Sequence, residues 1–377
     1  MLDLARQYDP IREEILAALA GVLDHRQFIL GEPVASFERL AALELGVAEA
    51  IGCSSGTDAL WLALAAAEIG PDAAVVTSPF SFFASVSSIV RAGAKPLLSD
   101  IDPVSFNLDP AGVQNLLEAP QPVPIRALLP VHLYGQCVPW PEFARLGKEH
   151  NVALIEDAAQ AWGAQWDGVS AGSLGDIAAF SFYPTKNLSA AGDAGLVTTN
   201  RPELAERARM LRQHGMRQRY HHDEIGWNAR MDGFQGAVLQ VNLRHLPERN
   251  AKRRAAAERY HQLFMAAGLA ESGIYPQHGV VLPKELEASR HVWHQYVIRS
   301  ARRDELRAHL TAQRIGSEIY YPVPLHRQKA LAYLGHKEGS FPEAERAARE
   351  VLALPLFPEI RSDEQERVVA EIAEFLS

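Results

Sequence analysis

Cysteine is scarce in this chain: its 377 residues include two, Cys53 and Cys137. Two isolated thiols exclude a disulfide framework and a cysteine-based metal cluster, and they fit a reducing compartment. Long apolar runs are missing as well, since none approaches the roughly 20 residues needed to span a bilayer. The opening stretch, MLDLARQYDPIREEI, has neither the basic segment nor the apolar core of a secretion signal. These absences predict a cytoplasmic protein that does not associate with membranes. A positive charge excess is also absent. Lys and Arg number 37 against 46 Asp and Glu, a net charge of -9, which argues against general nucleic-acid binding. The charge is uneven, however. Basic residues outnumber acidic ones between Arg201 and Tyr260, so an anionic small-molecule ligand is compatible with the composition. No internal repeat or low-complexity tract is visible.

What is present is the composition of an ordinary globular protein, 47% hydrophobic and 22% charged. The length predicts two domains, or one large domain with an appendage. Ile11, Ile15, Ala18, Leu19, Val22 and Leu23 recur at helical spacing behind Pro10. Gly31 and Pro33 interrupt the chain, and a second amphipathic helix starts at Val34 and stops at Gly46. Short apolar runs then predict strands at 74–77, 95–98, 127–131, 152–156, 177–182 and 195–198. Helices are expected between them at 57–69, 81–91, 110–117 and 140–150. This alternation reads as a mostly parallel sheet covered on both faces, part of it antiparallel where the last strands follow without helices. A long helix spans about 231–264, and Pro247 should kink or split it. The tail reads as a smaller α+β unit, with strands at 294–298 and 318–321 and helices at 303–313, 343–352 and 362–375.

Three stretches carry chemistry. In SFYPTKN, Lys186 follows a strand and a Pro-containing turn. Most lysines near a sheet edge are solvated, but one held in a partly desolvated site becomes a nucleophile toward carbonyls, as a Schiff base requires. In ALIEDAAQAWGA, the strand ends at Glu156–Asp157, where open α/β sheets bind ligands. Alone, Asp157 is better read as a helix cap. Beside a Schiff-base lysine it becomes the partner of a pyridinium nitrogen. In GCSSGTDALWLALAA, small polar residues before a helix offer N–H groups and a dipole to a phosphate, although a plain capped helix has the same pattern.

Together these stretches resemble pyridoxal-phosphate enzymes of the aspartate-aminotransferase fold. More closely, the chain is similar to the DegT/DnrJ/EryC1/StrS family of nucleotide-sugar aminotransferases. The likeness also rests on LGEPVASFE, VHLYGQ, GWNARMDGFQGAVL and YYPVPLH, and it covers essentially the whole chain. It implies fold type I, with a large cofactor domain at 1–245 and a linker helix plus small C-terminal α+β domain at 246–377. It implies that Lys186 holds pyridoxal 5'-phosphate and later moves the proton, and that Asp157 partners the ring nitrogen. Gln160 falls near the ring's 3-oxygen and Phe82 on the ring face, while Gly56, Thr57 and Ser181 form the phosphate cup. Asn228 would reach the phosphate of the other subunit, which implies a homodimer with shared sites. Tyr183, Arg230, Tyr321 and His326 match sugar-nucleotide contacts. Ser55, Ser189, Ala191 and Ala194 depart from frequent Asn, Gly or Tyr residues of the family, with Ser189 and Ala191 able to alter the sugar pocket.

Three further features resemble sites. Gly168–Gly172 fits G-x-S-x-G, but a turn precedes it where a nucleophile elbow needs a strand. His221–Glu224 is metal-like in composition, yet adjacent residues on one loop cannot enclose an ion, so no metal is expected. Arg253–Arg254 reads as an exposed helix face. The expected reaction is amino transfer from an amino acid, with glutamate the expected donor, to a keto nucleotide sugar. HLYGQ and FYPTKN point to C3 rather than C4. The alternatives are a sugar dehydratase, disfavoured because that branch replaces the lysine with histidine, and a cofactor-binding regulator without turnover.

Overall fold

A computed structural model describes all 377 residues. Seven strands build one sheet: β1 Glu49–Cys53, β2 Ala74–Thr77, β3 Lys95–Leu98, β4 Ile125–Leu129, β5 Ala153–Asp157, β6 Ile177–Ser181 and β7 Gly195–Thr199. Their order is β1-β7-β6-β5-β4-β2-β3. β7 runs antiparallel to both neighbours, and the other adjacent pairs are parallel. The reversal follows from the connection. Parallel neighbours need a crossover, usually a helix, and no helix lies between Ser181 and Gly195. Central strands such as β2 are buried at every position, as expected when helices cover both faces.

The edge strand β1 is absent from the sequence-based expectation. It is short, contains Gly52, and is defined by its ladder to β7. The helix after it, Gly56–Ala66, is apolar all round and almost wholly buried, as a helix enclosed by other elements should be. The helix expected from Val34 starts earlier, at Gly31, with Pro33 inside its first turn, where a missing N–H costs no helical bond.

Four expectations for the second half are corrected. The helix Gly233–Ala266 passes through Pro247 unbroken. Leu239 and Leu246 anchor it in one apolar cluster, while Ala257, Tyr260 and Phe264 anchor it in another. Packing at both ends outweighs the ~3 kcal/mol that an interior proline costs. Residues 318–321 form only a bridge from Glu318 to Ala353. The expected helix at 343–352 ends at Glu350, and Val351–Leu354 pairs antiparallel with Tyr296–Arg299. All eight residues of that ladder are buried, and burial overrides local helix propensity. Arg253 is likewise interior rather than exposed. Its Nη1 donates to the carbonyls of Trp293, His294 and Leu356 at 3.3, 3.4 and 3.1 Å. No helix is long and apolar enough to cross a membrane.

Candidate active site

The carboxyl ends of β5 and β6 open onto a crevice beside the start of the Gly56–Ala66 helix. Asp157 is the last residue of β5 and is buried. Its Oδ2 accepts from the Ser85 hydroxyl at 2.7 Å, and its Oδ1 accepts from the Ala159 N–H at 3.2 Å. No helix begins after β5, so the helix-cap reading of Asp157 does not hold. Burial pushes the carboxyl up from its ordinary value, while Ser85, Ala159 and the charge on Lys186 pull it back.

Lys186 lies in the turn that follows β6, where its N–H donates to the Tyr183 carbonyl at 2.8 Å. Its side chain keeps some solvent access at the crevice mouth, but surrounding protein strips water from the ammonium. Desolvation lowers its pKa to about 8, opposed by the charge of Asp157. A lysine near this value is partly a free amine at neutral pH, as a carbonyl nucleophile must be.

Two aromatic side chains and an amide stand around this pair. Gln160 Oε1 accepts from the Tyr134 N–H at 2.6 Å, and its Nε2 donates to the Tyr321 hydroxyl at 3.2 Å. The Tyr321 ring lies 6.2 Å from the Phe82 ring, and its hydroxyl feels the charge of Asp157. Phe82 is 59% exposed, so an aromatic face remains open in the crevice.

The helix start forms the other end of the site. Ser55 caps it by accepting from the Asp58 N–H at 3.1 Å. Asp58 in turn accepts from the Ser54 and Ser55 hydroxyls at 2.6 and 3.2 Å and pairs with Arg91 at 2.5 Å. Backbones approach closely here. A Cβ on Gly56 would lie 2.5 Å from Ser181 Cβ, and one on Gly195 would lie 2.2 Å from the Ser55 carbonyl oxygen. Only glycine lets the helix start sit against the ends of β6 and β7. The result is a cradle of free N–H groups with Thr57 and Ser181 beside it, suited to an anion.

Lys186, Asp157, Gln160, Tyr321 and Phe82 therefore share the crevice, with Gly56, Thr57 and Ser181 at the end where the helix starts. Other expected residues stand apart. Asn228 is exposed and accepts from Arg230 Nε at 3.0 Å. Its segment runs along β1, where Ser54 N–H donates to the Ala229 carbonyl at 3.2 Å. Tyr183 is exposed. His326 is turned into a buried pocket, bonded to Glu345 at 2.9 Å and packed edge-on against Phe341. The G-x-S-x-G match proves to be a hairpin, Gln165–Trp166 with Val169–Ser170, and no helix follows it. His221–Glu224 belongs to no group of ligands able to hold a metal. Residues that sequence reasoning missed include Ser85, on Asp157, and His294, whose pKa is pushed down first by burial and then by the nearby Lys186 charge. The serines 81, 85 and 88, the last two in the helix Ala84–Arg91, were the available signal for the first. Nothing local marks His294.

Comparison with known proteins agrees with this geometry. Residues 9–373 match the family model described as the DegT/DnrJ/EryC1/StrS aminotransferase family. A pleiotropic regulatory protein of Geobacillus stearothermophilus is 46% identical over 375 residues, covering 100% of this chain and 98% of that protein. The UDP-N-acetyl-3-dehydro-alpha-D-glucosamine 3-aminotransferase of Acidithiobacillus ferrooxidans is 40% identical over 372 residues, covering 99% and 96%. Among solved structures, S. venezuelae DesV in complex with a ketimine intermediate superposes with a TM-score of 0.93 at 41% identity, covering 100% of this chain and 97% of that one. The fold is that of the large and small domains of fold-type-I aminotransferases, and the chain belongs to the DegT/DnrJ/EryC1/StrS aminotransferase family.

Proposed function

We propose that this chain is a pyridoxal-phosphate aminotransferase that moves an amino group from an amino acid, with glutamate the expected donor, to the C3 keto group of a nucleotide-linked sugar. The observation that carries this reading is the placement of Lys186 and Asp157 at the carboxyl ends of two adjacent parallel strands, both desolvated and each within reach of the other's charge. The residues present fit the cofactor. Glycine at position 56 lets the helix start sit against Ser181, with N–H groups for a phosphate, Asp157 offers a carboxylate to a ring nitrogen, and Phe82 offers an open face. When bound, the cofactor supplies an electron sink for the donor α-carbon.

The remaining steps belong to side chains. Lys186 would hold the cofactor and, as a free amine, would take and return the proton at the donor α-carbon. Asp157 keeps the ring nitrogen protonated. Gln160, already fixed by Tyr134 and Tyr321, orients the ring's 3-oxygen. Gly56, Thr57 and Ser181 take the phosphate, and Asn228 reaches the phosphate of a second copy in a C2 homodimer. Tyr183, Arg230 and Tyr321 line the sugar-nucleotide path. His326, turned inward by Glu345, enters this reading as an anchor of the Tyr321 loop rather than as a direct contact. A cytoplasmic location belongs to the same reading, as does a division into units at 1–245 and 246–377.

The preference for C3 rests on HLYGQ and FYPTKN and on the 3-aminotransferase relative. Specificity constants on a matched 3-keto and 4-keto nucleotide sugar test it, and preference for the 4-keto partner would overturn it while leaving amino transfer intact. A second reading, a cofactor-binding regulator without turnover, is favoured by the relative named as a pleiotropic regulatory protein. Glutamate mixed with stoichiometric loaded protein separates the two: an aminotransferase yields one equivalent of 2-oxoglutarate per site, and a regulator yields none.

A further inference from the structure

Behind Asp157 lie two hydroxyls that the family resemblance did not assign. Ser85 is fully buried and Ser81 nearly so. Ser81 Oγ and Ser85 Oγ are 2.8 Å apart, and Ser85 Oγ is 2.7 Å from Asp157 Oδ2. With Asp157 ionised, counting hydrogens fixes the direction of this chain. An ionised Asp157 can only accept, so the single Ser85 hydrogen points at it. Ser81 must then donate to Ser85. Ser88 does not join, because its hydroxyl bonds to the Ala84 and Ser85 carbonyls.

We propose that Ser81 and Ser85 form a positioning relay that keeps Asp157 in its ionised state and so keeps the shared proton on the cofactor's ring nitrogen. This inference rests on the proposed function. The physical argument concerns which of two bases holds one proton. Burial favours the neutral carboxylic acid, with the proton on Asp157 and a neutral ring. A hydroxyl that donates to Oδ2 binds the carboxylate more strongly than the neutral acid, and a second hydroxyl donating to the first strengthens that preference. Ala159 holds Oδ1 in the same sense. Lys186 and Tyr321 face the same carboxylate: the Lys186 charge stabilises its ionised form, and Tyr321 lies close enough to feel it; His132 beside it is a neutral imidazole, its Nδ1 accepting from the Val138 N–H. The relay differs from these in acting on one oxygen through fixed geometry.

The test is the nitrogen-15 shift of ring-labelled pyridoxal phosphate loaded into full-length apoprotein, because this shift separates protonated from neutral pyridine nitrogen. Wild type is expected to show the protonated signal. Ser85→Ala should move it toward the neutral value, with a change in proton distribution on the order of ten- to a hundredfold, the size of a lost hydrogen bond to a charge. Ser81→Ala should move it in the same direction by less, and Ser85→Thr, which keeps the hydroxyl, should restore it. If Ser85→Ala does not fold, Ser85→Cys keeps the volume, weakens the donor and is read by the same signal. An unchanged signal in the Ser85 variant with cofactor bound overturns the relay alone; a neutral nitrogen in wild type overturns the relay together with the role given to Asp157. Wild-type protein that binds no cofactor or leaves glutamate unconverted overturns the functional reading, whatever Ser85 does.

Discussion

Two carboxylates stand side by side at the end of β5, and they do opposite things. Successive residues of a strand face opposite sides of a sheet, so Glu156 and Asp157 enter different environments. Glu156 is wholly buried and saturated. Its Oε1 accepts from the N–H groups of Leu174 and Gly175 at 2.9 and 2.7 Å. Its Oε2 accepts from the Gly172 N–H at 2.7 Å and lies 2.9 Å from His132 Nε2. His132 Nδ1 accepts from the Val138 N–H at 3.2 Å, so its Nε2 carries the hydrogen given to Glu156. Four donors occupy a carboxylate with about four acceptor positions, and Glu156 is left to fasten the 172–175 turn. Asp157 receives two donors and keeps capacity on the side facing Lys186. Burial is common to both; unmet hydrogen-bonding capacity in a crevice is what sets Asp157 apart.

Removing the amine tests the comparison most severely. Lys186→Ala should bind cofactor without a covalent link and show no amino transfer, and borohydride treatment of loaded wild type should fix the cofactor to Lys186 by peptide mapping. The carboxylates should then separate by the kind of damage they cause. Asp157→Asn should keep its cofactor and its melting behaviour but lose ~3 kcal/mol of rate, on the order of a hundredfold in turnover. Glu156→Gln should do the reverse. An amide presents its NH2 to N–H groups that need an acceptor, so stability should fall by about 3 kcal/mol, read as a lower denaturant midpoint. Equal turnover losses from both substitutions, with unchanged stability, would remove the distinction.

Mixing subunits gives a smaller signal with a sharper geometric meaning. Lys186→Ala and Asn228→Ala proteins should each be impaired, and together they should recover about a quarter of wild-type activity. Half of the randomly mixed dimers are then heterodimers, each with one intact site of two. No recovery, with heterodimers demonstrated, assigns Asn228 to its own subunit's site.

The smallest effect is a titration. In apoprotein, the reactivity of Lys186 toward an acylating reagent should rise with pH through about 8, because the neutral amine reacts and its fraction grows as pH passes the pKa from below. Exposed lysines should follow near the ordinary value of about 10.4. Asp157→Asn should shift the Lys186 midpoint further down, since it removes the charge that favours the ammonium. Glu156→Gln should leave it in place.

Much of the large sheet was legible because its strands are apolar runs bounded by turns and its helices are amphipathic or apolar at fixed spacing. The expected strands at 74–77 and 95–98 and the helix at 140–150 coincide with the observed elements. Lys186 and Asp157 were legible because their neighbours are constrained on both sides: a strand end before each and a tight turn after. The small unit was less so. Val351–Leu354 reads as the end of a helix until Tyr296–Arg299 is beside it, and Glu318–Tyr321 reads as a strand although only one bridge forms. Pro247 signals a break that two anchored packing surfaces override.

The amino-acid order alone determined which residue types stand at the strand ends: a lysine after β6, a carboxylate at the end of β5, and small residues before the first buried helix. Those are local facts, fixed by chain neighbours and strand alternation. Tertiary structure decided what each group meets across the chain. Ser85 reaches Asp157 from 72 residues away, Ser181 closes on Gly56, and Glu345 claims His326. These contacts set ionisation and exposure, because burial and charge act through space between elements that sequence order does not bring together.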